Sequence, residues 1–132
     1  MQNIKIETFT GGAAMPYLND LAQLRVEVFR DFPYLYDGNL IYEQDYVQTY
    51  IKAMDSVLVI AFDGDSVIGV STALPMENEP INIQKPFLDR CFDTSKIFYF
   101  GESVLKKAYR GQGIGVEFFN QREAQARKLN RF

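Results

Sequence analysis

Tyr109-Arg110-Gly111-Gln112-Gly113-Ile114-Gly115 is the stretch that decides the reading of this 132-residue chain. A strand-like run precedes it, Ile97-Phe98-Tyr99-Phe100-Gly101-Glu102-Ser103-Val104-Leu105, and a helix-like run follows from Val116 to about Lys128. The glycines permit a wide loop whose backbone N–H groups converge on one point. The helix behind it adds unpaired first-turn N–H groups and the positive end of its dipole. Strand, glycine loop and helix start together make a cradle for a phosphate group.

Spacing excludes two common cradles. A dinucleotide fingerprint read from Gly111 needs glycine at 116, where Val116 stands. A P-loop needs Gly-Lys-Ser/Thr at its end, and the chain has Gly115-Val116-Glu117. What remains is Arg-x-x-Gly-x-Gly, carried by Arg110, Gly113 and Gly115. This pattern resembles the acyl-CoA loop of the GNAT superfamily of N-acetyltransferases, Gln/Arg-x-x-Gly-x-Gly/Ala, and it sits between a strand and a helix as that family requires.

Working outward, the upstream order agrees. Asn3 to Phe9 alternates Ile4 and Ile6 with Lys5 and Glu7, a half-buried strand ended by Gly11-Gly12. A helix is predicted from about Ala14 to Phe32, with Leu18, Leu21, Arg25, Val28, Phe29 and Phe32 at three- and four-residue spacing and Pro33 as its stop. Residues 33–39 are rich in turn formers and tyrosine. A second helix is predicted from Ile41 to Met54, with Tyr42, Tyr46, Val47, Tyr50 and Ile51 on one side. Val57 to Phe62 and Val67 to Ala73 read as strands of a hairpin turned by Asp63-Gly64-Asp65. After a polar stretch, Pro86 to Cys91 reads as a short helix.

The order β-α-α-β-β-(short helix)-β-α describes an α/β chain of mixed α+β character, one domain over residues 1–132. The resemblance implies the GNAT-like acyl-CoA N-acyltransferase fold, a mixed sheet flanked by helices. It is specific at 104–115, topological before that, and covers the first two-thirds of the fold. In that family a fifth strand, a further helix and two more strands follow. Here the chain stops at Asn130-Arg131-Phe132, after the third main helix. The family's tyrosine general acid would lie in the part beyond. The apolar edge from Ile97 to Leu105 should then be covered, by the rest of a longer gene product or by a second copy in a homodimer, and we favour the former.

Composition narrows the chemistry. Apolar residues make up 47% of the chain, enough for a core and too interspersed for a membrane span. No basic segment followed by an apolar run opens the chain, so a cytoplasmic location is expected. The chain has no histidine. That removes Ser-His-Asp and Cys-His mechanisms and most zinc sites, so no metal is expected and any base must be a carboxylate, tyrosine, lysine or water. Cys91, the single cysteine, is expected as a half-buried small hydrophobe. A net charge of −3 without a basic run argues against a nucleic-acid partner.

The resemblance then assigns roles. It implies acetyl-CoA as acyl donor and an amine, small molecule or peptide, as acceptor. The backbone of Val104 and Leu105 would pair with the pantetheine arm. The N–H groups of Arg110, Gly111, Gln112, Gly113, Ile114 and Gly115 would hold the pyrophosphate, with the permanently charged Arg110 against phosphate. Lys106 and Lys107 lie nearby and are equally well read as solvated. Glu102, eight residues before Arg110, would be the catalytic base, since many members carry a glutamate there; an apolar strand would strengthen it as a base, and Gly101 beside it fits a bulge. Tyr34, Tyr36, Tyr42 and Tyr46 would wall the acceptor site, although tyrosines on such a helix are more often core with a polar tip. Glu43, Asp45 and Asp37 are placed either near an amine or on a solvated face. Three functions follow: an N-acetyltransferase, a non-catalytic or regulatory acyl-CoA-binding module, and an interaction domain whose glycine loop is only a turn.

Overall fold

The computed structural model describes residues 3–30, 39–53, 55–79, 81–91, 93–129 and 131. Four strands run in chain order across one sheet: β1 (Ile4–Thr10), β2 (Val57–Asp63), β3 (Ser66–Pro75) and β4 (Phe98–Leu105). A mixed sheet is expected from the resemblance; all three described pairings are antiparallel. The fold class, a sheet flanked by helices, stands.

β2 and β3 are buried along nearly their whole length because both faces of the sheet are covered. On one face Leu58, Ile60, Val70, Leu74 and Val104 pack with Leu21, Leu24 and Val28 of α1 (Leu18–Arg30) and with Val47, Tyr50 and Ile51 of α2 (Leu40–Lys52). On the other, Val57, Val59, Ala61, Ile68, Ala73 and Phe98 pack with Ile114, Phe118 and Ala126 of α4 (Ile114–Lys128). The β2–β3 turn runs through Gly64 at φ +60°, where the hairpin signal lies.

Several expectations are corrected. The helix predicted from Ala14 begins at Leu18, because Gly11–Tyr17, which contains Pro16, winds as a 3₁₀ segment instead. Its predicted stop, Phe32-Pro33, lies outside the described residues. α2 is close to prediction and is capped by the Asn39 side chain, which accepts from the Tyr42 N–H at 3.1 Å. The short helix is longer than expected: α3 spans Ile81–Asp89, with Pro86 inside. Cys91 is exposed at φ +62° rather than half-buried, since it follows the end of α3 in a turn. No helix among the described residues is long and apolar enough to cross a membrane.

Between Ser71 and Ala73 of β3 the register with β4 slips: Ser71 faces Ser103, while Ala73 faces Phe100. One extra β4 residue is thus accommodated at Gly101-Glu102, the bulge that the glycine suggests.

Candidate functional site

The bulge is locked by side chains. The Glu102 N–H donates to Thr72 Oγ1 at 3.1 Å, and Ser71 Oγ donates to the Glu102 carbonyl at 3.2 Å. Gly101 is needed for a packing reason: a Cβ there would stand 2.3 Å from Tyr50 Oη and 2.7 Å from Thr72 Oγ1. The bulge re-aims Glu102 toward α1 and α2.

There the carboxylate meets Arg25. Arg25 Nη1 donates to Glu102 Oε1, and Arg25 Nε donates to Glu43 Oε2. The guanidinium lies over the Tyr46 ring, 4.0 Å from its centre, and 5.0 Å from that of Phe29. Burial opposes its charge, but Glu102 and Glu43 outweigh burial, and its pKa is raised. Tyr46 Oη lies 3.3 Å from Tyr50 Oη. Burial first, then Tyr50 and Glu102, push the Tyr46 pKa far above the usual tyrosine range. Burial likewise raises that of Tyr50 against hydrogen bonds with Tyr46 and Thr72. Both tyrosines are therefore protonated at neutral pH. A cavity lined by Leu21, Arg25, Tyr46, Tyr50, Leu58 and Thr72 lies beneath the cluster.

This differs from the expectation in two ways. Glu102 does not sit in an apolar strand environment; it is half of an ion pair, because the bulge turns it toward Arg25. Glu43 is not on a solvated face but is buried in the same cluster, whereas Asp45 is exposed. Sequence reading places Arg25 on the apolar face of α1 without a role. The available signal is a charged residue at core spacing in each helix: Arg25 between Leu21 and Val28, and Glu43 four residues before Val47. Of the tyrosines proposed to wall an acceptor site, Tyr46 faces Glu102, while Tyr42 is 59% exposed and points away from the core. Tyr34, Tyr36 and Asp37 lie outside the described residues.

The glycine loop lies at the far end of β4. Lys107–Tyr109 forms a 3₁₀ turn, and Gly111 and Gly113 follow at φ +80° and +83°. Gly113 is the residue that starts α4, and Glu117 sits in the first turn. No atom comes within 4 Å of the Cβ positions of Gly111, Gly113 or Gly115, so the loop faces open space. Tyr109 anchors it through a hydroxyl donated to Asp63. Arg110 is exposed and folds back, its Nε donating to the Leu105 carbonyl at 3.1 Å. The Lys106 N–H bonds the Ile68 carbonyl, so antiparallel alternation turns the backbone groups of Val104 toward β3 and those of Leu105 outward. Lys106 pairs with Glu27 at 3.1 Å, and Lys107 is exposed. No group of three or more His, Cys, Asp or Glu residues that could hold a metal occurs among the described residues.

One strand therefore carries a carboxylate cluster near its middle and an open, glycine-built helix start at its end. No family pattern matches the chain, and no curated protein matches it in sequence. Solved structures do match in fold. The chain is similar to an aminoglycoside N-acetyltransferase solved with CoA (13% identity, TM-score 0.63, 99% of this chain and 74% of that one). It is similar to an aminoglycoside acetyltransferase from an uncultured soil metagenomic sample, solved with sisomicin (15% identity, TM-score 0.63, 98% and 73%). It is also similar to a Pyrococcus horikoshii OT3 protein (18% identity, TM-score 0.67, 97% and 74%). Against another Pyrococcus horikoshii protein, 97% of this chain spans 36% of that chain, at 18% identity and TM-score 0.64. The shared feature is the fold of the GNAT acetyltransferases.

Proposed function

We propose that this chain, which has the fold of the GNAT acetyltransferases, is an N-acetyltransferase that transfers an acetyl group from acetyl-CoA to an amine. The observation that carries the proposal is the loop at 110–115. Two glycines at positive φ open α4 with no atom above them, so backbone N–H groups are free to meet an anion. That geometry fits the pyrophosphate of acetyl-CoA, which would supply an activated thioester carbonyl. The amides of Gly111 to Gly115 would hold the phosphates; that of Arg110, expected among them, instead donates to the Lys107 carbonyl at 3.2 Å. The outward backbone of Leu105 would receive the arm that connects phosphate to thioester.

Acetyl transfer also needs the thioester held in reach of the nitrogen and the amine proton removed. Glu102 is the proposed base. It sits three residues before Leu105 on the same strand, half-buried, at a bulge that fixes its backbone. Arg25 would fix the carboxylate's direction, and Tyr46 would remain a neutral donor beside it. The acceptor's identity stays open within amines; the absence of any basic run disfavours nucleic acid.

A second reading is an acyl-CoA-binding module without chemistry. The grip of Arg25 on Glu102 favours it, because the ion pair occupies a carboxylate oxygen that would otherwise face the amine. Calorimetric titration with acetyl-CoA, followed by thiol release with a panel of amines, separates the two. Binding with release supports the enzyme, and binding without release supports the module. No binding at millimolar acetyl-CoA overturns both.

A further inference from the structure

We propose that Arg110 is a specificity-determining residue: its guanidinium lies on the outer edge of β4 and yields that place only to a thioester that brings a phosphate with it. This rests on reading the 110–115 loop as a phosphate cradle and the Leu105 edge as the seat of the arm.

Arg110 does not serve the cradle through its backbone. Its N–H donates to the Lys107 carbonyl at 3.2 Å and closes the 3₁₀ turn. The side chain is what remains. It is exposed and heads the loop, one residue before Gly111. Yet it turns back along the strand, and Nε donates to the Leu105 carbonyl at 3.1 Å. Neighbouring Lys106 is paired with Glu27, but among the described residues no carboxylate engages Arg110. A cation beside an open glycine loop is thus held by one neutral carbonyl.

The place it holds is the one the arm needs. β4 is the last strand of the sheet, and Leu105 turns its backbone groups away from β3. An arm amide pairing with Leu105 would set its own nitrogen about 2.9 Å from the same oxygen, where Arg110 Nε stands. The carbonyl has a second lone pair, so the contest is for the space along the edge. A phosphate-free arm must replace a charged donor by a neutral one, which is uphill. A phosphate in the cradle changes the balance. It offers Arg110 a full negative charge and several oxygens in exchange for one carbonyl. The guanidinium then leaves the edge at a gain, and the arm takes its place.

Two simpler roles predict other signs. If Arg110 only attracts phosphate, its loss weakens acetyl-CoA and leaves a phosphate-free arm unaffected. If it only shapes the loop, its loss weakens both. Arg110→Met keeps an unbranched stem and removes the charge and the donors; because the residue is exposed, the fold should persist. Acetyl-CoA and pantetheine, the arm without its phosphates, are titrated against wild type and variant, with backbone amide resonances as the readout. Acetyl-CoA should bind the variant about tenfold or more weakly, and pantetheine about threefold more tightly. Arg110→Gln, uncharged but polar, should move both probes in the same directions. Pantetheine affinity that is unchanged, lower or undetectable in the variants overturns the proposal, as does unchanged acetyl-CoA affinity. A wild-type chain that binds no acetyl-CoA would remove the underlying reading of the loop, and this proposal with it.

Discussion

Tyr109 donates its hydroxyl to Asp63 Oδ2 at 2.6 Å, across 46 positions of sequence. The other oxygen, Asp63 Oδ1, accepts the Asn3 N–H at 2.9 Å. One carboxylate at the end of β2 therefore holds both the start of β1 and the residue ahead of the glycine loop. Tyr109→Phe keeps the ring and removes this tie. Acetyl-CoA affinity should fall by less than about tenfold, with the fold intact. Calorimetric titration checks this, and equal affinity would mean that the loop keeps its shape without the anchor.

Gly113 separates conformation from space. It starts α4 at φ +83°, and nothing lies within 4 Å of its Cβ position. Gly113→Val forces a β-branched residue into left-handed backbone, a cost of about 1–2 kcal/mol read by urea denaturation. It also fills the space proposed for phosphate, so acetyl-CoA binding should be lost. Gly113→Asn tolerates the backbone and should regain stability without regaining affinity. Normal affinity in either folded variant would sink the cradle assignment.

Gly101→Ala tests the bulge. The added methyl would meet Tyr50 Oη at 2.3 Å and Thr72 Oγ1 at 2.7 Å. Either the tyrosine hydroxyl leaves Tyr46 or the strand shifts. Overpacking of this kind costs on the order of 1–3 kcal/mol. Thermal and urea unfolding measure it. Full stability would show that Tyr50 swings aside freely.

How much of this was legible beforehand follows from range. Gly64 and the α2 apolar spacing are local signals, and the elements they mark stand where periodicity puts them. The glycine loop is local too, and its positive φ angles agree with the glycines' placement. The Arg25–Glu43–Glu102 cluster joins three elements, and no local pattern encodes a contact across 77 positions. The antiparallel register of β4 and its outward edge at Leu105 depend on the bulge, which Gly101 only suggests. Cys91 is expected half-buried by type, but its position after α3 leaves it exposed.

Acid should weaken the fold through carboxylates whose pKa values are lowered: Asp63 by Tyr109 and Asn3, Glu77 by Arg131, and Asp93 by Ser95. A lowered folded-state value means that the stabilisation is complete above the ordinary values, 3.8 for Asp and 4.5 for Glu, and is lost as pH falls through the folded ones. Glu79 works in the opposite sense, since burial raises it. Glu77 takes both Arg131 nitrogens, at 3.0 and 2.7 Å, but is 43% exposed, so its share is about half a kcal/mol or less. Glu77→Gln should lower the neutral melting temperature by about 2 °C or less and leave the acid value nearly unchanged, which flattens the fall below pH 4.5. An unchanged acid slope would assign that fall to the other carboxylates.

Glu102→Gln addresses the chemistry itself. The substitution keeps length, an oxygen for Arg25 Nη1 and the backbone bonds to Thr72 and Ser71, so the bulge should persist. It removes the basic site. If Glu102 takes the amine proton, turnover should fall on the order of 10²–10⁴-fold with acetyl-CoA affinity nearly unchanged. The substitution also leaves Glu43 alone with Arg25, a neutral pair, so thermal stability should hold or rise. That divergence separates a catalytic role from a structural one: a structural carboxylate would lose stability and keep its rate. A rate loss below about threefold would leave Glu102 as the carboxylate that fastens α1 to β4, with the amine arriving already neutral.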